Sequence, residues 1–269
     1  MGPAGPDRPM TLPAGSDAAS LAKLASGIRA AESSATAPLA FLTLSGSFNP
    51  VHAEHLQVLE VARDAITRLG TAVVGGFLAL SDDDYVRGKL AGNAWPLARR
   101  RELCRLAVAD STWIDLSPWV ESSSYRTCEQ LGRSIQADCR GLLAGRSVVG
   151  IECMGSDTVE RILERLLAEW DSRSDPDSPP WYRGRRVCCL LRPGLDSAAR
   201  IERIRTDLGP RALALGLRII LVDEAGAMPL RPVSSRAIRD AIDAGRWSEL
   251  QAAGWLAPPV FERIRAIFG

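Results

Sequence analysis

Apolar positions along this chain alternate between two patterns. In the first, nearly every residue of a short run is apolar: residues 39–44 (Leu-Ala-Phe-Leu-Thr-Leu), Ala72 to Leu80, Trp113 to Leu116, Ser147 to Met154, Val187 to Leu191 and Arg218 to Val222. Runs of this length bounded by Gly or polar residues read as buried strands. In the second, apolar residues recur every three or four positions. His55 to Leu69 carries Leu56, Leu59, Ala62 and Ile66 at that spacing, and Leu97 to Ala109, Tyr125 to Leu143, Val159 to Trp170 and Ile201 to Leu208 follow suit. These read as amphipathic helices, and two further short helices are expected to close the chain. Strands that alternate with helices specify an α/β fold, doubly wound, whose mostly parallel sheet carries helices on both faces.

The flanks are softer. Met1 to Ser16 is rich in Pro, Gly and Ala and reads as a disordered tail. Leu21, Leu24 and Ile28 then suggest a short helix between Asp17 and Ala31, capped by Ser16 or Asp17. The expected organisation is therefore a flexible extension over residues 1–38 containing a short helix, and one catalytic domain over 39–269. Asp171 to Pro180 (DSRSDPDSPP) is the clear internal loop.

Composition narrows the function. The 269 residues include 33 basic and 32 acidic side chains, a net charge of +1. So even a balance argues against a nucleic-acid binder, which needs a basic face. No apolar stretch is long enough to span a membrane, and no charged-then-apolar leader opens the chain. The six cysteines, Cys104, Cys128, Cys139, Cys153, Cys188 and Cys189, have no zinc-ligand spacing and read as reduced, buried thiols of a cytoplasmic enzyme.

The sharpest feature is residues 46–55, Gly-Ser-Phe-Asn-Pro-Val-His-Ala-Glu-His, which follow the first strand and open a helix. Ligands of open parallel sheets bind at the carboxyl ends of strands, where this turn lies. Gly46 permits close backbone approach, and helix N-terminal amides favour anionic oxygens. His52 and His55, the only two histidines, are three apart and can share one side of a first helical turn. A metal site would lack a third ligand, and an incidental pair would not be expected at such a turn. A phosphate-gripping pair fits best.

These residues resemble the (H/T)xGH signature of the nucleotidylyltransferase superfamily, in the GSFNP form found in nicotinamide and nicotinate mononucleotide adenylyltransferases. Glu54 stands where the superfamily has Gly, a feature shared with eukaryotic-type members. Residues 232–239 (Pro-Val-Ser-Ser-Arg-Ala-Ile-Arg) are similar to the family's ISSTxxR motif, with Arg236 in place of Thr. Gly155-Ser156-Asp157 resembles its G-(A/S)-D motif, Asp84-Tyr85 its Asp-x-Tyr-x-Lys stretch, and Arg192-Pro193-Gly194 its R-x-G.

The resemblance implies a Rossmann-like fold, ATP and a pyridine mononucleotide as substrates, and Mg²⁺ arriving with the ATP. It implies catalytic roles for His52, His55 and Arg239, and ATP contacts from Gly46, Ser47, Phe48, Ser234, Ser235 and Arg236. The mononucleotide would meet Asn49, Tyr85, Trp119, Gly155, Asp157 and Arg192, and Arg231 would lie near the adenine. Trp119 either stacks on the pyridine ring or is a core residue; the two readings stay open at this point. So do two rivals: another phosphate-monoester acceptor, and a nucleotide-binding or ATP-hydrolysing relative without synthesis. The expected location is cytoplasmic, or nuclear in a eukaryote, with homo-oligomerisation left open.

Overall fold

A computed structural model describes residues 21–34, 37–120, 124–172, 182–191, 198–222 and 233–269. The chain runs α1 (Ala22–Ala30), β1 (Leu39–Gly46), α2 (Ala53–Arg68), β2 (Ala72–Leu80), α3 (Asp83–Leu90), α4 (Leu97–Val108), β3 (Ile114–Leu116), α5 (Ser124–Asp138) and α6 (Arg140–Leu143). It continues through β4 (Val148–Gly155), α7 (Ser156–Asp171), β5 (Arg186–Leu190), α8 (Ala198–Arg203), α9 (Gly209–Ala214), β6 (Arg218–Val222), α10 (Ser235–Asp243), α11 (Trp247–Ala253) and α12 (Pro258–Phe268).

Among the described residues the strands form one sheet in the order β3-β2-β1-β4-β5-β6, every pair parallel. β1 lies at the centre, and the order reverses between it and β4. That reversal opens a crevice at the carboxyl ends of the two strands.

Successive residues of β1 serve opposite faces. Ala40 and Leu42 join a cluster with Leu59, Leu78, Ile151 and Phe261, covered by α2, α4 and α10 to α12. Leu39 and Phe41 join Leu24, Ile28, Phe77 and Leu131 beneath α1 and α5. Farther along that second face, α7 and α9 cover Val187 and Cys189 with Val159, Leu163 and Ala212. Period-two alternation thus feeds two cores, the doubly wound arrangement expected from the pattern.

Three expectations change, and one helix is added. The helix inside the supposed flexible extension belongs to the domain: Leu24 and Ile28 are buried against β2, and Lys23 Nζ donates to the carbonyls of Val108 (2.7 Å) and Ile114 (2.9 Å). Asp83–Leu90 is helical although mostly polar, because the Asp82 carboxylate caps it by accepting the Tyr85 N–H (2.7 Å). The helix expected from Tyr125 to Leu143 is split into α5 and α6. Three helices, not two, close the chain, because Gly254 (φ 60°) ends α11 and Pro258 starts α12.

Candidate active site

The turn between β1 and α2 is built by three side chains that the sheet holds in place. Phe48 adopts a left-handed backbone (φ 43°), costly for a residue with a Cβ, and its ring folds back into the core. A Cβ on Gly46 would sit 3.3 Å from that ring, so the glycine makes room for Phe48. Phe48 was expected among the ATP contacts; its ring packs edge-on against His55, with ring centroids 4.9 Å apart.

His52 caps α2 and His55 occupies its third position. The rings stack with centroids 3.7 Å apart and planes 29° from parallel. The His52 backbone N–H donates to His55 Nδ1 (3.1 Å). An accepting Nδ1 leaves the proton of the neutral ring on Nε2, which can donate to a phosphate oxygen. Not every helix-start amide remains available, since the Ala53 N–H donates to the carbonyl of Trp255 (2.8 Å). Glu54 is buried in the first turn of α2, where the helix dipole favours a carboxylate.

The second motif meets the first across the crevice. Ser234 caps α10 by accepting the Ala237 N–H (3.1 Å), Ser235 Oγ donates to the Pro50 carbonyl (2.8 Å), and Arg239 Nη1 donates to the Asn49 carbonyl (2.5 Å). Arg239 is buried, and the loss of hydration lowers its pKa from the usual arginine value, partly offset by nearby Asp240. A guanidinium stays charged under such a shift. Arg236 is exposed on the same helix.

Asn49 was expected to touch the mononucleotide. Its amide is already committed: Nδ2 donates to the Asn93 carbonyl (2.7 Å) and Oδ1 accepts the Trp95 N–H (2.9 Å). Its side chain braces the segment before α4. The sequence reading missed Arg100, which is fully buried and bonded to the same turn (Nη1 to Ser47 O, 2.8 Å). Within the run Arg99-Arg100-Arg101 nothing in composition separates it from its neighbours.

The other expected site residues sit on separate elements. Gly155 caps α7 at the end of β4, and Asp157 is exposed in that helix's first turn. Tyr85 is exposed on α3. Trp119 follows β3, packs against the cluster beneath α1 and α5, and buries an indole N–H with no partner among the described residues. Arg192, Pro193, Gly194 and Arg231 lie outside the described residues, as does most of the loop from Asp171 to Pro180.

A cavity of about 470 Å³ opens beside His52, between α2, α4 and α11–α12. Its charged lining residues, Glu60 and Glu262, are acidic, so it repels phosphate. Among the described residues no three His, Cys, Asp or Glu side chains converge as metal ligands.

The sequence profile of the cytidylyltransferase-like family matches residues 43–221. A protein of Oryza sativa subsp. japonica named nicotinamide/nicotinic acid mononucleotide adenylyltransferase is 32% identical over 125 residues, 45% of this chain and 49% of the relative. The Xenopus tropicalis protein named nicotinamide/nicotinic acid mononucleotide adenylyltransferase 2 is 34% identical over 93 residues, 34% of this chain and 29% of the relative. An Arabidopsis thaliana protein with the first of these names is 33% identical over 94 residues, 34% of this chain and 38% of the relative. The chain thus spans half or less of the length of these curated relatives.

Proposed function

The chain belongs to the cytidylyltransferase-like family, and we propose that it transfers the adenylyl group of ATP to nicotinamide mononucleotide or nicotinate mononucleotide. A phosphate oxygen of the mononucleotide attacks the ATP α-phosphorus. A new P–O bond forms as the bond to the β-phosphate bridging oxygen breaks, and pyrophosphate leaves with that electron pair. The products are NAD, or its deamido form, and pyrophosphate. The names of the relatives from Oryza sativa and Xenopus tropicalis support the choice of acceptor.

One observation carries the reading. The stacked His52 and His55 stand at the end of the central strand, on a turn that Ser235 and Arg239 of α10 also grip. This gathers neutral and cationic donors where charge builds up on the phosphates. Such a reaction needs positioning and charge stabilisation more than covalent help. His55 offers an Nε2 proton donor held by its own Nδ1 bond, and Arg239 supplies fixed positive charge. Mg²⁺, bound to the triphosphate, would add charge neutralisation. Asp157 and Trp119, at the ends of β4 and β3, are assigned to the mononucleotide, with Asp157 on a ribose and the indole face on the cationic pyridine ring. No helix among the described residues is long and apolar enough to cross a membrane, in keeping with a reaction among soluble metabolites, which we assign to the cytoplasm.

The test is to supply ATP and Mg²⁺ with each mononucleotide in turn and follow pyrophosphate. Release that depends on a pyridine mononucleotide, with formation of the dinucleotide, is expected. Release that depends on another phosphate monoester, or phosphate formed from ATP without an acceptor, would overturn the assignment.

A further inference from the structure

Arg100 is the largest fully buried side chain described, at 0% exposure. Its guanidinium donates to oxygens on three separate segments. Nε reaches the Trp95 carbonyl (3.0 Å), Nη1 the carbonyls of Ser47 (2.8 Å) and Ser81 (3.0 Å), and Nη2 the carboxylate of Asp83 (2.9 Å). A buried cation is tolerated only when its donors are so satisfied. The planar fork suits this task, since one rigid group binds the turn, the β2–α3 junction and the start of α4 together.

The bond to Ser47 has a directional consequence. In a trans peptide the carbonyl and the next residue's N–H point to opposite sides. The Ser47–Phe48 bond is trans, the Asn49–Pro50 bond alone being cis among the described residues. Drawing the Ser47 carbonyl inward onto Arg100 therefore turns the Phe48 N–H outward. That N–H meets no backbone acceptor among the described residues, and neither does the buried Ser47 hydroxyl find a partner there. The Phe48 N–H is left unmatched beside His55, with the left-handed backbone of Phe48 aiding the concave shape that cups anions.

We propose that Arg100 is a positioning residue: by holding the Ser47 carbonyl inward it aims the Phe48 N–H at the triphosphate, without touching the nucleotide itself. The proposal rests on the nucleotidyl-transfer reading above. It makes the turn an anion receptor set from behind, and it divides the labour between two arginines. Arg239 grips the outer carbonyl of Asn49 and Arg100 the inner one of Ser47.

Two measurements test it. Arg100→Lys keeps a buried cation but cannot span three segments. It is expected to lower kcat/KM for ATP by about 100-fold, the scale for one preorganised donor, while KM for the mononucleotide stays near that of the wild type. A merely structural role would move the two substrates together. Wild-type ATP kinetics in a folded Arg100→Lys, or a KM for the mononucleotide raised as far as that for ATP, would overturn the proposal. The second measurement needs no variant. With ¹⁵N-phenylalanine incorporated, the five phenylalanine amides are followed by NMR during titration with magnesium pyrophosphate. The Phe48 amide should show the largest shift; an unmoved Phe48 amide at saturating pyrophosphate would sink the idea whatever the variant does. Failure here is distinct from failure of the transfer reading, in which the wild-type protein would release no acceptor-dependent pyrophosphate.

Discussion

His55 holds its position through three contacts, the His52 ring, the Phe48 edge and the His52 backbone N–H. The first two would leave only a modest gap if the imidazole were removed, because His55 is half-exposed. His55→Ala should therefore melt close to the wild type yet lose about 3 kcal/mol of transition-state stabilisation, the scale for one lost donor; near-normal turnover would remove His55 from the mechanism. Asp157→Ala, at an exposed site, should raise KM for the mononucleotide more than KM for ATP, and equal effects would make Asp157 structural. For Trp119, Trp119→Phe should keep the fold and most acceptor affinity. Trp119→Ala should weaken acceptor binding by about 1–2 kcal/mol, with ATP binding unchanged. A melting point lowered as far as a core cavity of about 3–5 kcal/mol implies, with acceptor affinity intact, would return the indole to the core. The spacing that singled out the histidines, Ser234, Ser235 and Arg239 is local, after a strand or at a helix start, and the fold brings the histidines, Ser235 and Arg239 to one turn. The side-chain partners of Asn49 and Phe48, Asn93 and Trp95 for the one and His55 for the other, were not legible because they are set by tertiary packing. Arg100 escaped notice for the same reason, since only the fold reveals which of three successive arginines is buried.

At the level of elements, α1 illustrates how pattern and membership separate. Leu24 and Ile28 announce an amphipathic helix, but no local signal says whether the apolar stripe meets this domain. The fold answers through Gly27, where an added Cβ would lie 2.0 Å from the Val74 carbonyl. Gly to Ala within a helix ordinarily stabilises by roughly 0.5–1 kcal/mol. Gly27→Ala should do the opposite, because helix and strand must part, and a thermal melt reads the sign. An unchanged or raised melting point would show that α1 does not press on β2. The strands were read nearly to the residue because buried parallel strands appear as uninterrupted apolar runs. The terminal helices were undercounted because Gly254 and Pro258, four residues apart, break the chain more than their spacing suggested.

For the molecule as a whole, the six cysteines are all buried, the reduced, packed state expected from their spacing. Burial pushes the Cys128 thiol up to about 11, with Thr43 and Arg185 opposing. An unfolded thiol ionises near its ordinary value of 9.0, so between the two values the unfolded chain releases a proton that the native chain keeps. Stability from Cys128 is then fully present below about pH 9 and falls as pH rises toward 11; denaturant melts across that window should show a decline, and Cys128→Ala should make it shallower while leaving the share of Cys104, Cys139 and Cys153, whose thiols are raised too. The long reach of the site's own bonds has a consequence in time. Ser235 and Pro50 are 185 positions apart, and Arg239 and Asn49 are 190 apart. A chain emerging from the ribosome makes the histidines early and waits for some 185 further residues before α10 can reach Pro50. Distant contacts of this kind are slow to form. In refolding, helical signal should recover first and pyrophosphate binding last, so a newly made chain acquires its grip on phosphate as one of the final acts of its assembly.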